Sequence, residues 1–143
     1  MLYCDFMAYS NFYAKFYTVL GKIKTALAAV FRFRPSFIYL ALVIFWQLVA
    51  WFQVWFIAKN LSSDVLVLHY NVDFGVDLVG DPNQIYLYPL LGIGVFLINF
   101  IVLAILHKDK NFKILSHFLW GAAVLFGSFL SIALLSVYLI NFR

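Results

Sequence analysis

Three long stretches of this chain carry no formally charged side chain, and each is bounded by charge. Residues 35–58 lie between Arg34 and Lys59, residues 82–107 between Asp81 and Lys108, and residues 114–142 between Lys113 and Arg143. A helix of about 20 apolar residues crosses the hydrocarbon of a bilayer, so all three are long enough to span it. Within residues 37–58, 13 of 22 side chains are Leu, Ile, Val or Phe. Each favours insertion by roughly 0.3–0.6 kcal/mol near a helix centre; Gln47 and Gln53 subtract from that sum without reversing it. Membrane barrel strands alternate apolar and polar residues over about ten positions, whereas these runs are apolar all round. The chain as a whole is 66% hydrophobic and 11% charged, and a soluble domain would carry about a quarter charged residues. A chain of 143 residues cannot hide that much apolar surface in its own core. The expected fold class is therefore an all-α integral membrane protein. Its spans fall near 37–58, 84–106 and 114–140, joined by a loop at 59–81. Residues 35–143 form the transmembrane domain and residues 1–34 precede it.

Basic residues set the orientation. Lys15, Lys22, Lys24, Arg32 and Arg34 precede the first span, and Lys108, Lys110 and Lys113 lie between the second and third. Only Lys59 sits in the loop between the first and second. The side richer in Lys and Arg is cytoplasmic, so the N-terminus is expected inside and both the 59–81 loop and the C-terminus outside. Trp55, Tyr86, Tyr88 and Tyr138 then fall at the outer interface, Tyr39 and Trp120 at the inner one, and Trp46 at mid-span as a packing residue. The first apolar stretch lacks the flanks of a cleavable signal peptide and reads as an uncleaved signal anchor. The basic residues flank apolar runs and do not gather into one patch, which excludes a nucleic-acid partner.

Residues 11–31 have a helical period of their own. Phe12, Phe16, Val19, Leu20, Ile23, Leu27 and Val30 recur at three- and four-residue steps, with Asn11, Lys15, Thr18, Lys22 and Thr25 on the opposite side. A basic amphipathic helix next to a span lies in the bilayer interface. The expected contacts with anionic lipid are Lys15, Lys22, Lys24, Arg32 and Arg34, each worth about 1 kcal/mol near the surface. The competing reading is a helix that binds a protein partner. Cys4 is the only cysteine, so it has no internal disulfide partner; it reads as a silent thiol, with palmitoylation as the alternative.

The 59–81 loop holds what chemistry the sequence offers. Val, Leu, Tyr and Gly dominate it, which predicts extended or irregular backbone. His69, Asp73, Asp77 and Asp81 are spaced by four and would line one face if the segment were helical, giving a weak candidate for a metal or acid–base site. Gly75 and Gly80 argue against a helix, and the constellation then disperses. Asp81-Pro82-Asn83-Gln84 has the form of a helix start, with Asp81 as cap and Pro82 in first position; the alternative places the start of span two at Pro89. In the spans, Gln47, Gln53 and Asn99 can hydrogen-bond between helices. Ala123, Gly127 and Ser131 form a small-residue row, and Gly92 shares a face with Asn99. These five positions, Gly92, Asn99, Ala123, Gly127 and Ser131, are expected to pack helices within one chain or between chains. No ionisable group lies deep in a span, and a proton relay would have to start at His117 near the inner interface. No phosphate loop, nucleophile motif or zinc motif is present, so no enzyme activity and no cofactor is expected.

His69-Tyr70-Asn71-Val72-Asp73-Phe74-Gly75-Val76-Asp77, then Gly80, then Tyr88-Pro89-Leu90-Leu91-Gly92, resembles a bacterial domain of unknown function. That domain also occurs in the immunity membrane protein of the Sdp killing-factor system. The resemblance covers roughly residues 37–106 and rests on a His-aromatic-Asn…Gly…Asp motif in the outer loop, here His69, Asn71, Gly75 and Asp77. The glycine is displaced by one position, and Leu68 stands where the motif has Pro. The chain also resembles short bacterial three-span membrane proteins, which implies the bacterial inner membrane. The function expected is a non-enzymatic accessory, immunity-type or scaffold protein. Its partners would be the lipid bilayer and either a second copy or an unidentified membrane protein. The alternatives are an oligomeric transport or channel subunit, and an outer-face metal-binding or enzymatic protein using His69 and its aspartates.

Overall fold

A computed structural model describes residues 2–61, 65–71, 73 and 75–142, with side chains described from Tyr13 onward except at positions 14, 70, 71, 76 and 77. The elements, in chain order, are helix α1 (Leu2–Arg32), helix α2 (Pro35–Asn60), strands β1 (Leu66–Asn71) and β2 (Gly75–Gly80), a 3₁₀ turn at Pro82–Tyr86, helix α3 (Leu87–Ile105), a 3₁₀ turn at Leu106–Lys108, and helix α4 (Phe112–Asn141). The all-α expectation holds, with the antiparallel hairpin β1–β2 the only strand pairing among the described residues. Three helical segments, at Pro35–Asn60, Pro82–Lys108 and Phe112–Asn141, are long and apolar enough to cross a membrane. Their most apolar windows are only 17%, 17% and 28% buried by protein, so most of the apolar surface needs a covering from outside the fold. Hydrocarbon supplies it, and the chain is a multi-pass membrane protein.

The bundle is held along heptad seams. On α4 the inward positions run Ser116, Trp120, Ala123, Gly127, Leu130, Leu134, Val137 and Asn141, alternating steps of four and three. On α2 the same steps link Ser36, Leu40, Val43, Gln47, Ala50, Val54 and Ile57, and on the second span Ile85, Pro89, Gly92, Phe96, Asn99 and Leu103. This 3.5-residue period keeps one stripe of each helix facing its neighbours. Leu, Ile and Phe on the opposite faces are exposed, among them Phe45, Leu48, Ile98, Phe118 and Phe129.

The core divides into two clusters. Toward the hairpin, Ala50, Val54 and Ile57 of α2 meet Leu130, Leu134 and Val137 of α4, with Leu66 and Ile85 plugging the end. At the opposite end, Val30 of α1, Leu103 and Trp120 pack together, with Phe96 and Phe100 beside them. Trp120, at the end of the bundle where the sequence places it, is 1% exposed, and its ring sits 5.9 Å from that of Phe96 and 6.3 Å from that of Phe100. Its place on the seam, one turn from Ser116 and from Ala123, draws it inward.

Polar atoms fix the register between helices. Gln47 Nε2 donates to the Pro89 carbonyl at 2.6 Å, and Gln53 Nε2 to the Ser131 carbonyl at 3.1 Å. With no water in the hydrocarbon, an amide gains by bonding within the protein; Gln53 Oε1, Ser116 Oγ and Ser131 Oγ are buried without such a partner. A Cβ on Gly92 would lie 2.7 Å from Gln47 Oε1, and one on Gly127 would lie 3.0 Å from Trp46 Cβ. Both glycines are contact points where helices approach closely, and Trp46 packs at mid-span as its position predicts.

The element at residues 11–31 extends back to Leu2 as part of α1. Pro35, which cannot continue α1, starts α2, and Ser36 Oγ closes the junction by donating to the Val30 carbonyl at 2.9 Å. Among the described residues, the C-terminal part of α1 meets the bundle through buried Ala26 and Val30 and through Phe31, 6.2 Å from Phe100. Phe16, Val19, Leu20 and Ile23 remain uncovered. The Cys4 side chain lies outside the described residues. The two readings of the second span's start each describe part of it. Asp81 Oδ1 accepts from Asn83 N at 2.7 Å and Pro82 opens a helical turn, but that turn is 3₁₀. The α-helix begins at Leu87, which puts Pro89 in the first α turn, where its missing N–H breaks no bond.

Candidate functional site

The described residues between α2 and the second span, 61, 65–71, 73 and 75–81, close the end of the bundle formed by the end of α2, the start of the second span and the end of α4. The extended backbone expected there is a hairpin. Asn71 pairs with Gly75, Tyr70 with Val76, His69 with Leu78, Val67 with Val79, and Leu66 with Gly80. Leu68 is therefore an extra residue on β1 and Asp77 an extra residue on β2. The two irregularities compensate, so the strands stay in register at both ends. Gly75, at φ +79°, occupies the left-handed conformation that closes a short hairpin loop and that other residues adopt only with strain.

Two devices fix this hairpin to the helices. Leu66 is fully buried in the core cluster next to Ile85, and half-buried Leu68 packs against the same cluster. Asn141, in the last turn of α4, then acts as a surrogate strand. Its Oδ1 accepts from Val67 N at 2.9 Å, and its Nδ2 donates to the carbonyls of Val67 and Val137, each at 2.8 Å. One amide side chain thus satisfies both main-chain groups of Val67 on the β1 edge, which would otherwise be an unpaired strand edge. Asn141→Leu removes all three bonds at a half-buried site. The expected cost is roughly 1–3 kcal/mol for polar groups left unpaired, confined to the hairpin. Hydrogen exchange should show faster exchange at the Val67 amide with the amides of α2 and α4 unchanged; unaltered protection at Val67 would contradict the clamp.

The loop candidates do not share a face. His69 lies exposed on β1, Asp73 is exposed at the hairpin tip, and Asp81 follows β2 with its carboxylate engaged in capping. Asp77 is the extra residue of β2, and Asn71 closes β1; the side chains of both lie outside the described residues. The four-residue spacing would have aligned these groups only on a helix. Among the described residues no group of three His, Cys, Asp or Glu side chains is placed to hold a metal ion. What the hairpin does present is apolar: Leu78 is 51% and Val79 48% exposed, on a strand whose only pairing partner among the described residues is β1. Such a strand can take an added strand along its open edge, with alternate side chains giving specificity.

An aromatic girdle surrounds this end. Tyr138 stacks on Phe142 at 5.0 Å and meets Phe56 at 5.8 Å, Trp51 and Tyr86 are 6.2 Å apart, and Lys59 Nζ sits 5.0 Å over the Trp55 ring. At the opposite end, the Tyr39 hydroxyl and His117 Nδ1 are 2.8 Å apart, and Phe33 meets the His117 ring edge-on. Of the packing candidates, Ala123 and Ser131 are buried, Gly127 faces Trp46, Gly92 faces Gln47, and Asn99 lies half-buried on the α3 seam. Asn141 escaped the sequence reading. The available signal was an Asn at the end of a span otherwise closed by Ile140 and Phe142. Comparison with protein-family models, with curated proteins and with solved structures finds no match to this chain.

Proposed function

We propose that this chain is a non-enzymatic accessory or immunity-type protein of a bacterial inner membrane. In this reading the N-terminus is cytoplasmic, the C-terminus and the hairpin are outside, and the hairpin recognises another membrane or surface protein. The observation that carries it is a two-stranded element clamped to the bundle by Asn141 and Leu66 while Leu78 and Val79 stay uncovered. Leu78 and Val79, adjacent on β2, leave an apolar side chain exposed on each side of the strand. The resemblance of the His69, Asn71, Gly75 and Asp77 motif to the immunity-associated domain supports the same reading. The excess of Lys and Arg at the other end supports the orientation. Helix α1 then lies along the inner leaflet, with Phe16, Val19, Leu20 and Ile23 toward acyl chains and Lys15, Lys22 and Lys24 toward headgroups. In the transport-subunit reading, the Ala123–Gly127–Ser131 row would join copies; in this fold Trp46 and Gln53 of the same chain occupy that row.

A photo-crosslinking amino acid placed at Leu78 in living cells tests the proposal. It is expected to yield a discrete adduct with a second protein, whereas the same group at lipid-facing Ile98 yields none. Adducts at Leu78 consisting only of the chain's own dimer, or of lipid, would count against it.

A further inference from the structure

The turn end of the bundle is rich in basic residues. Arg32 ends α1, Arg34 precedes α2, and Lys113 stands in the first turn of α4. These come from two parts of the chain, the α1–α2 junction and the start of α4, and line one cleft of about 580 Å³, walled on its apolar side by Ala29, Phe33 and Phe112. None of the three makes an ion pair among the described residues. The nearest carboxylate in sequence, Asp109, has its Oδ1 bonded to Asn111 N at 2.7 Å within its own turn. Helical residues beside the cleft, Phe37, Ile38, Ile114 and Phe118, present exposed apolar side chains. A second cleft of about 570 Å³, with Lys22 and Lys108 on its walls, lies between α1 and the turn after α3.

We infer that the cleft between Arg32, Arg34 and Lys113 is a binding site for the phosphate of an anionic phospholipid, whose acyl chains continue along α2 and α4. Three cations gathered around one recess repel one another unless an anion lies between them, and guanidinium groups bind phosphate oxygens through paired N–H donors. The apolar wall of Phe33 and Phe112, with exposed Phe37 and Ile114 a few residues further along the chain, suits a headgroup carrying its chains better than a soluble phosphate. Basic pockets between spans on the cytoplasmic side are a known form of headgroup recognition. The inference rests on the placement of this end at the membrane interface and refines the diffuse attraction expected of α1 into a discrete site.

The test uses the full-length protein purified in zwitterionic detergent, with bound lipid counted by native mass spectrometry during titration with short-chain phosphatidylglycerol or phosphatidylcholine. One bound phosphatidylglycerol is expected to be retained at least tenfold more strongly than phosphatidylcholine. Glycerol phosphate or inorganic phosphate at equal concentration should not displace it. The double variant Arg34→Gln/Lys113→Gln should lose that preference, Arg34→Lys/Lys113→Arg should keep most of it, and Lys59→Gln/Lys110→Gln, with the same charge change outside the cleft, should alter retention less than threefold. Equal losses in the two glutamine pairs would reduce the site to diffuse attraction, and displacement by inorganic phosphate would make it a soluble-anion site; either overturns the inference. Circular dichroism and thermal unfolding confirm that each variant is folded before its retention is read. Because the titration is done in detergent, it is independent of orientation in the cell. Failure here with the expected topology removes only this site, and a failed topology with intact retention removes only the orientation.

Discussion

Trp120→Ala should destabilise the bundle by about 3 kcal/mol, the largest effect of any single substitution considered. Large-to-small changes at buried aromatics cost roughly 3–5 kcal/mol in water-soluble cores. The low end applies here, because helix association in lipid is driven by packing rather than by removal of apolar surface from water. Trp120 is the largest fully buried side chain among the described residues, and its ring joins Val30 of α1 to Leu103 and to the Phe96–Phe100 pair. Its loss should therefore loosen α1 from the bundle as well as lower overall stability. Trp120→Phe gives the informative contrast. The indole Nε1 has no hydrogen-bond partner, so removing it costs no bond, and a change of ring size alone should cost less than about 1.5 kcal/mol. Unfolding by SDS titration in mixed micelles measures both. A loss for Trp120→Phe as large as for Trp120→Ala would mean that the N–H, not the packing, carries the effect.

Gly127→Leu should cost roughly 1–3 kcal/mol by overpacking. The first added carbon already lies 3.0 Å from Trp46 Cβ, an atom next to the main chain that cannot swing aside. The remaining carbons would then push α2 from α4 along the seam that also carries the Gln53–Ser131 bond. Gly121, in the same helix, has nothing within 4 Å of an added Cβ. Gly121→Ala should therefore be neutral or stabilise by up to about 1 kcal/mol, through reduced freedom of the unfolded chain. The same SDS titration reads the pair, and equal effects at Gly121 and Gly127 would contradict the assigned helix contact.

The three spans are legible because lipid tolerates no run of charge, and the boundaries set by Arg34, Lys59, Asp81, Lys108 and Lys113 fall within a few residues of the helix ends. Which face turns inward is much less legible. In water an amphipathic stripe separates core from surface. In a bilayer the outward positions Phe45, Ile98 and Phe129 are as apolar as the inward Ile57 and Leu134, so hydrophobicity carries little contrast. The contrast lies instead in small and polar residues at four-three spacing. Ala123 and Gly127 revealed part of it, and Ser116 and Asn141 extend it along all of α4. That Trp120 turns inward is not legible, because an aromatic near a span end suits both the interface and a seam. The hairpin's extended character follows from its Val, Leu and Gly content. Its register does not, since it depends on two offsetting extra residues, Leu68 and Asp77, and on a clamp between Asn141 and Val67 that are far apart in sequence. The local four-residue spacing of His69 and the aspartates held no information of that kind.

The claim on which the rest depends is that three helices cross the bilayer with the hairpin outside and the basic turn inside. In a Cys4→Ser background, Asp73→Cys at the hairpin tip and Lys110→Cys in the turn before α4 can each be exposed to a membrane-impermeant maleimide on sealed cells. Position 73 should label in intact cells, and position 110 only after permeabilisation. Labelling of both from the outside, or of position 110 alone, would contradict the arrangement.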